Sequence, residues 1–192
     1  MSKSRPESKD DTENFLRFAD TSMRSERGGH PVERSMRKTA EEGRYLSFQL
    51  ASETYAVPIR TVSEIIGLGE ITHVPNLPVY MKGIINLRGK VLPVMDLRRK
   101  FSLPTTEYNR ETCIIIVDIW SRKVGLIVDT VREVLDFKIN NIEPSPDIGG
   151  HSHTHCLIGI GKLTDRVVIL VEPSLILTAD ELTGSVSFAS VA

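Results

Sequence analysis

A glycine-bearing hairpin occurs twice in this chain. Gly83 to Leu97 reads as strand, turn, strand: Ile84, Ile85 and Leu87 form an apolar run, Arg88-Gly89-Lys90 is a polar break, and Val91 to Met95 resumes the run. The glycine suits a tight turn because it takes positive φ without steric cost. Pro93 cannot donate to a ladder, which places its strand at an edge or beside a bulge. The same plan returns later in the chain, in Gly159 to Glu172. Gly83 matches Gly159, Ile84 matches Ile160, Leu87 matches Leu163, Lys90 matches Arg166, Val91 matches Val167 and Asp96 matches Glu172, all at one constant offset. Upstream, Thr61-Val62-Ser63-Glu64-Ile65-Ile66 is echoed, at a slightly shorter offset, by Thr130-Val131-Arg132-Glu133-Val134-Leu135. Two ordered matches at similar spacing point to a duplicated unit.

The rest of the chain fits two copies of a small β module. Tyr45 to Leu50 alternates with period two, Tyr55 to Ile59 does so in part, and Ala51-Ser52-Glu53-Thr54 between them is a turn. Thr112 to Val117 is a nearly all-apolar buried strand, Trp120-Ser121-Arg122-Lys123 a turn, and Val124 to Val128 the return strand. Val62, Ile65 and Ile66 stand at helical spacing behind Thr61, so a short helix is expected over 61–66, ended by Gly67. A second helix-like segment is expected over 130–135. Pro173 at a first turn, followed by Leu175, Ile176, Leu177 and Leu182, predicts a closing C-terminal helix. Short strands at regular spacing with Gly/Pro turns predict an all-β fold with short helices, built as two small barrels sharing an interface.

Residues 1–44 differ. Only nine of them are hydrophobic, while ten Lys/Arg and nine Asp/Glu are mixed along the segment. Too little apolar surface is present to offset ordering, so a disordered polar tail is expected over 1–44. The folded domain is expected over 45–182 and a frayed end over 183–192. The N-terminus lacks an apolar signal region, and the longest aliphatic runs are too short for a bilayer. A cytoplasmic location without membrane insertion follows as an expectation. The net charge of −1 gives no bulk attraction to nucleic acid.

Chemistry-bearing constellations are few. His151, His153 and His155 alternate along an extended segment and would share one face beside Cys156, which are metal-ligand types. They follow Gly149-Gly150 in a loop, so no metal is expected to be held. Cys113 sits within an apolar strand as a small hydrophobe. Cys156 and His155 point to opposite faces of an extended segment, and two cysteines make no disulfide framework. No nucleophile elbow, phosphate loop or dinucleotide fingerprint occurs. The chain reads as a non-enzyme without cofactor whose edges bind other proteins.

The run Tyr55-Ala56-Val57-Pro58-Ile59, Val62-Ser63-Glu64-Ile65, Pro78, Lys82-Gly83-Ile84-Ile85-Asn86-Leu87-Arg88-Gly89, Pro93-Val94-Met95-Asp96-Leu97-Arg98, Phe101, Val128-Asp129 and Val167 to Val171 resembles a CheW-type domain over roughly residues 45–182. The resemblance implies two intertwined five-stranded barrels. It implies an adaptor that couples chemoreceptors to the CheA histidine kinase in bacterial chemotaxis. Its partners would be the helical tip of a receptor's cytoplasmic part and the kinase's regulatory domain. Carried over by position, Val62, Glu64, Arg88, Val131 and Val134 would face the receptor. The valines would receive apolar side chains, and Glu64 and Arg88 would supply charge-assisted hydrogen bonds. The resemblance implies a kinase contact on the outer face of the first barrel, within Tyr45 to Ile66 and Ile84 to Leu97, and singles out no individual kinase-binding residue. Two other readings stand beside it: the adaptor part of a larger coupling protein or kinase, and a small metal-dependent enzyme using His151, His153 and His155.

Overall fold

A computed structural model describes residues 38–145, 154–177 and Glu181. Of the tail expected over 1–44, residues 1–37 lie outside the described residues, as do the loop carrying His151 and His153 and the chain beyond Glu181, while 38–44 are described. Contacts begin before the first strand. The Ala40 amide donates to the Ile158 carbonyl, Ala40 is buried, and Lys38 reaches Glu172 at 2.9 Å.

Eleven strands follow in order among the described residues: β1 Gly43–Leu50, β2 Glu53–Pro58, β3 Val62–Gly67, β4 Met81–Leu87, β5 Lys90–Asp96, β6 Cys113–Ile119, β7 Arg122–Val128, β8 Thr130–Phe137, β9 Ile142–Glu143, β10 Leu157–Lys162 and β11 Val167–Val171. They form a six-stranded sheet ordered β8-β1-β2-β11-β10-β9 and a five-stranded sheet ordered β3-β6-β7-β5-β4. The duplication is visible in the register. Gly83 pairs Val94, and its match Gly159 pairs Leu170; the bulge between Met81 and Gly83 recurs between Leu157 and Gly159. Val94 pairs Gly125 in parallel, as Leu170 pairs Ala56.

The two halves exchange their third strands. β3 follows β1 and β2 in sequence but pairs β6 of the later half, while β8 of the later half returns to β1. The expectation of two intertwined units therefore holds, with one correction. The ladders are open sheets of five and six strands rather than two closed five-stranded barrels. The extra strand is the two-residue β9 against β10, whose counterpart in the other sheet is the single bridge between Thr72 and Ile84.

The helices expected over 61–66 and 130–135 are strands β3 and β8. The register shifts between Val62 and Glu64, and between Leu46 and Phe48 opposite β8. An extra residue in a strand cancels one step of alternation, so Val62 and Ile65 share one face despite odd spacing, as do Val131 and Val134. Bulged strands thereby imitate the i, i+3, i+4 spacing of a helix. A 3-10 turn, Ile59–Thr61, precedes β3. Pro93 is not on an edge strand, because β5 lies between β7 and β4. The parallel ladder to β7 starts one residue later, at Val94, so the missing donor leaves no gap. At the C-terminus a 3-10 turn, Pro173–Leu175, replaces the start of the expected helix; Ile176 and Leu177 are buried behind it.

Three apolar clusters among the described residues hold the fold. One belongs to the six-stranded sheet (Tyr45, Leu135, Phe137, Leu170) and one to the five-stranded sheet (Leu92, Val94, Ile114, Ile116). The third is shared, joining Phe48, Leu50 and Val57 to Met95, Ile115, Val117 and Leu126. Burial of each such side chain contributes about 1.5–3 kcal/mol. Arg98, just after β5, donates to both Asp129 oxygens at 2.6 Å, and Asp129 also accepts the Ala51 amide at 2.7 Å. That bidentate pair ties the turn of the β1–β2 hairpin to the other sheet.

Candidate functional site

The β4–β5 hairpin turns on two residues, Arg88 and Gly89, at φ 53° and 82°. Both central residues of such a turn need positive φ, which matches the strand twist. Glycine meets this freely, whereas arginine is strained there. Asn86 supports the turn by accepting the Gly89 amide on Oδ1 at 2.8 Å. The turn carries the Arg88 side chain outward, 81% exposed, where Nη2 meets Glu64 Oε2 at 3.0 Å.

Glu64 belongs to β3, at the opposite edge of the same sheet from β4. The ion pair therefore spans the opening that backbone ladders leave. It sits in a cavity of about 540 Å³ lined by Ser63, Glu64, Leu87, Arg88, Lys90 and Lys123. Arg88, Lys90 and Lys123 face the Glu64 carboxylate there, and Lys123 also meets Asp118 at 3.7 Å. Lys123 Nζ also contacts Ser63 Oγ.

Of the apolar positions singled out in the sequence, Val62 and Val131 are half-buried and both pack on the shared core, one from each sheet. Val134 is 47% exposed on β8. Ile65 on β3 is 45% exposed at the equivalent place in the first repeat. Ile65 was not among the positions expected to face a partner, although the echo pairing it with Val134 was the available signal. Val62 with Ile65, and Val131 with Val134, thus extend the shared core to the surface as two apolar ridges. Burial raises the Cys113 thiol, which lies beside the Val131 backbone.

The histidine cluster is not assembled among the described residues. His155 is exposed in the 3-10 turn Thr154–Cys156, and no group of three His, Cys, Asp or Glu side chains is placed to hold a metal there. Cys156 is buried, and that burial pushes its thiol up to about 11, the protonated form that does not attack as a nucleophile. The site offers apolar contact and paired charge, which is recognition chemistry.

The CheW-like domain family matches residues 44–181. The chain is 36% identical over 138 residues to the chemotaxis protein CheW of Klebsiella aerogenes, covering 72% of this chain and 83% of that protein. It is 33% identical over 150 residues to the chemotaxis protein CheW of Bacillus subtilis, covering 78% and 94%. Among solved structures it is similar to the scaffolding protein TtCheW of Thermoanaerobacter tengcongensis, with a TM-score of 0.67, 35% identity, and coverage of 73% of this chain and 95% of that one.

Proposed function

The chain belongs to the CheW-like domain family, and from that premise we propose that it is a non-catalytic scaffold coupling chemoreceptors to a CheA-type histidine kinase in chemotaxis-type signalling. The observation that carries the reading is the strained, outward Arg88 paired with Glu64 beside two apolar ridges. A helix of the receptor's cytoplasmic tip would lay apolar side chains between the ridges at Val62, Val131 and Val134. It would present charged groups to Glu64 and Arg88, which fix its register. The kinase's regulatory domain would dock elsewhere on the same rigid module, so receptor geometry reaches the kinase through one body. No helix among the described residues is long and apolar enough to cross a membrane. In this reading the protein works in the cytoplasm and reaches the membrane through the receptor.

The test is an equilibrium titration of a soluble receptor cytoplasmic fragment against wild type, Glu64→Ala and Arg88→Ala. Loss of binding by both variants, with melting temperature unchanged, supports the site. Binding by both at wild-type strength would refute it.

A further inference from the structure

The ion pair between Glu64 and Arg88 has a counterpart. Arg166 Nη2 meets Glu133 Oε1 at 2.7 Å. Glu133 lies on β8, an edge of the six-stranded sheet, and is the residue that matches Glu64 in the repeat; Arg166 lies in the turn between β10 and β11. Each sheet thus has a glutamate on its exchanged edge strand met by an arginine from the turn of its repeated hairpin.

The second pair is not a passive copy of the first. At the offset that matches Gly83 with Gly159, Arg88 corresponds to Thr164, and Arg166 corresponds to Lys90. The same pairing is therefore built with a guanidinium from a different turn position. Glu133 and Arg166 are both substantially exposed, and exposed ion pairs add little to stability. Each pair stands on the strand that carries an apolar ridge: Val62 and Ile65 on β3, Val131 and Val134 on β8. The two ridges rise from one shared core.

We propose that Glu133 and Arg166 form a second recognition element for the same partner, a hairpin of two antiparallel helices. Such a hairpin is itself roughly twofold. One helix is read by Glu64 and Arg88 and the other by Glu133 and Arg166, while the four ridge residues receive its apolar side chains. Charge complementarity sets the occupant: each helix offers an acidic group to the arginine and a basic or amide group to the glutamate. The inference rests on the receptor-binding reading given above and deepens it.

The experiment titrates the soluble receptor fragment, bearing its hairpin tip, against four proteins: wild type, Arg88→Glu, Arg166→Glu, and the charge-swapped double variant Glu133→Arg with Arg166→Glu. Melting temperature and kinase binding are recorded for each. Arg166→Glu is expected to bind the fragment about tenfold more weakly or worse. The swapped variant restores the internal ion pair, so it keeps its melting temperature but stays weak. Recovery of wild-type affinity by the swap would show a structural role only and overturn the proposal. Arg166→Glu within about twofold of wild type, with Arg88→Glu weakened, would overturn it and leave the first site standing. Neither variant weakened would overturn both. Loss of self-association by Arg166→Glu, without change in fragment binding, would assign the element to a second copy of the chain and likewise overturn it.

Discussion

Arg88 and Glu64, far apart in sequence, meet at 3.0 Å between the turn after one edge strand of a sheet and its opposite edge strand. The contact joins a strained turn to an edge strand, and it is exposed enough that stability does not explain it. Replacing Arg88 by alanine is expected to change unfolding free energy by less than about 1 kcal/mol. Arg88→Gly removes the positive-φ strain and should leave the protein as stable as wild type or slightly more so. Both should lose receptor binding. Chemical denaturation alongside a binding titration checks the pair. A large stability loss in Arg88→Gly would mean that the side chain serves the fold.

Gly83 is fixed by close approach. A Cβ there would lie 2.1 Å from the Thr72 carbonyl oxygen, at φ 139°. Gly83→Ala is expected to destabilise by about 2 kcal/mol or more, because backbone rather than a flexible side chain must move. Gly161→Ala should also destabilise, since its Cβ would meet the Phe137 ring at 2.5 Å. Gly89→Ala is expected to cost less: φ is positive but nothing lies within 4 Å. Thermal unfolding of the three variants tests the order.

Glu172 couples the fold to pH. Burial pushes its carboxyl up, but the Lys38 ammonium at 2.9 Å and the Ser174 hydroxyl and amide outweigh that and hold it below the usual glutamate range. Its stabilisation is thus present above the unfolded value of about 4.3 and is lost as pH falls through the lower folded value. Lys38→Ala removes the cation, so acid unfolding should begin at higher pH than in wild type. Glu172→Gln should be less stable at neutral pH by about 1–3 kcal/mol and show a flatter acid limb. Denaturation curves from acid to neutral pH would show both, and superimposable acid limbs would contradict the assignment.

The cysteines should be silent. Burial raises both thiols, Cys156 to about 11. Neither is expected to react quickly with a thiol reagent at mildly alkaline pH in the folded protein. In denaturant both should react at once. Fast labelling of Cys156 in the native state would show that the region around the 3-10 turn Pro173–Leu175 opens.

The repeated hairpins were legible because a glycine, an apolar run and a turn recur at fixed spacing, and both offsets survive as register in the sheets. β3 and β8 resemble helices in sequence because a bulge shifts their alternation into helical spacing. The exchange of β3 and β8 between sheets was not legible from the residues themselves, since the partner strands lie far along the chain; intertwining came only through the family resemblance. The same holds for the site. Glu64 and Arg88 were assigned by resemblance, and nothing in their spacing says that they touch. Ile65 and Glu133 were within reach, because each sits opposite a chosen residue in the echo that pairs Val62 with Val131. What concealed them was their bland local setting, an aliphatic and an acid on a strand edge. Only the exposure and the ion pair distinguish them.

Bridging of a receptor and a kinase by this protein is tested most directly by co-sedimentation of CheA-type kinase with receptor-bearing membranes. The kinase is expected in the pellet when wild type is added and in the supernatant when it is omitted. With Arg88→Ala, the kinase and the variant should remain together in the supernatant. Kinase that pellets equally well without this protein, or wild type that brings down neither partner across several receptor classes, would contradict the bridging role.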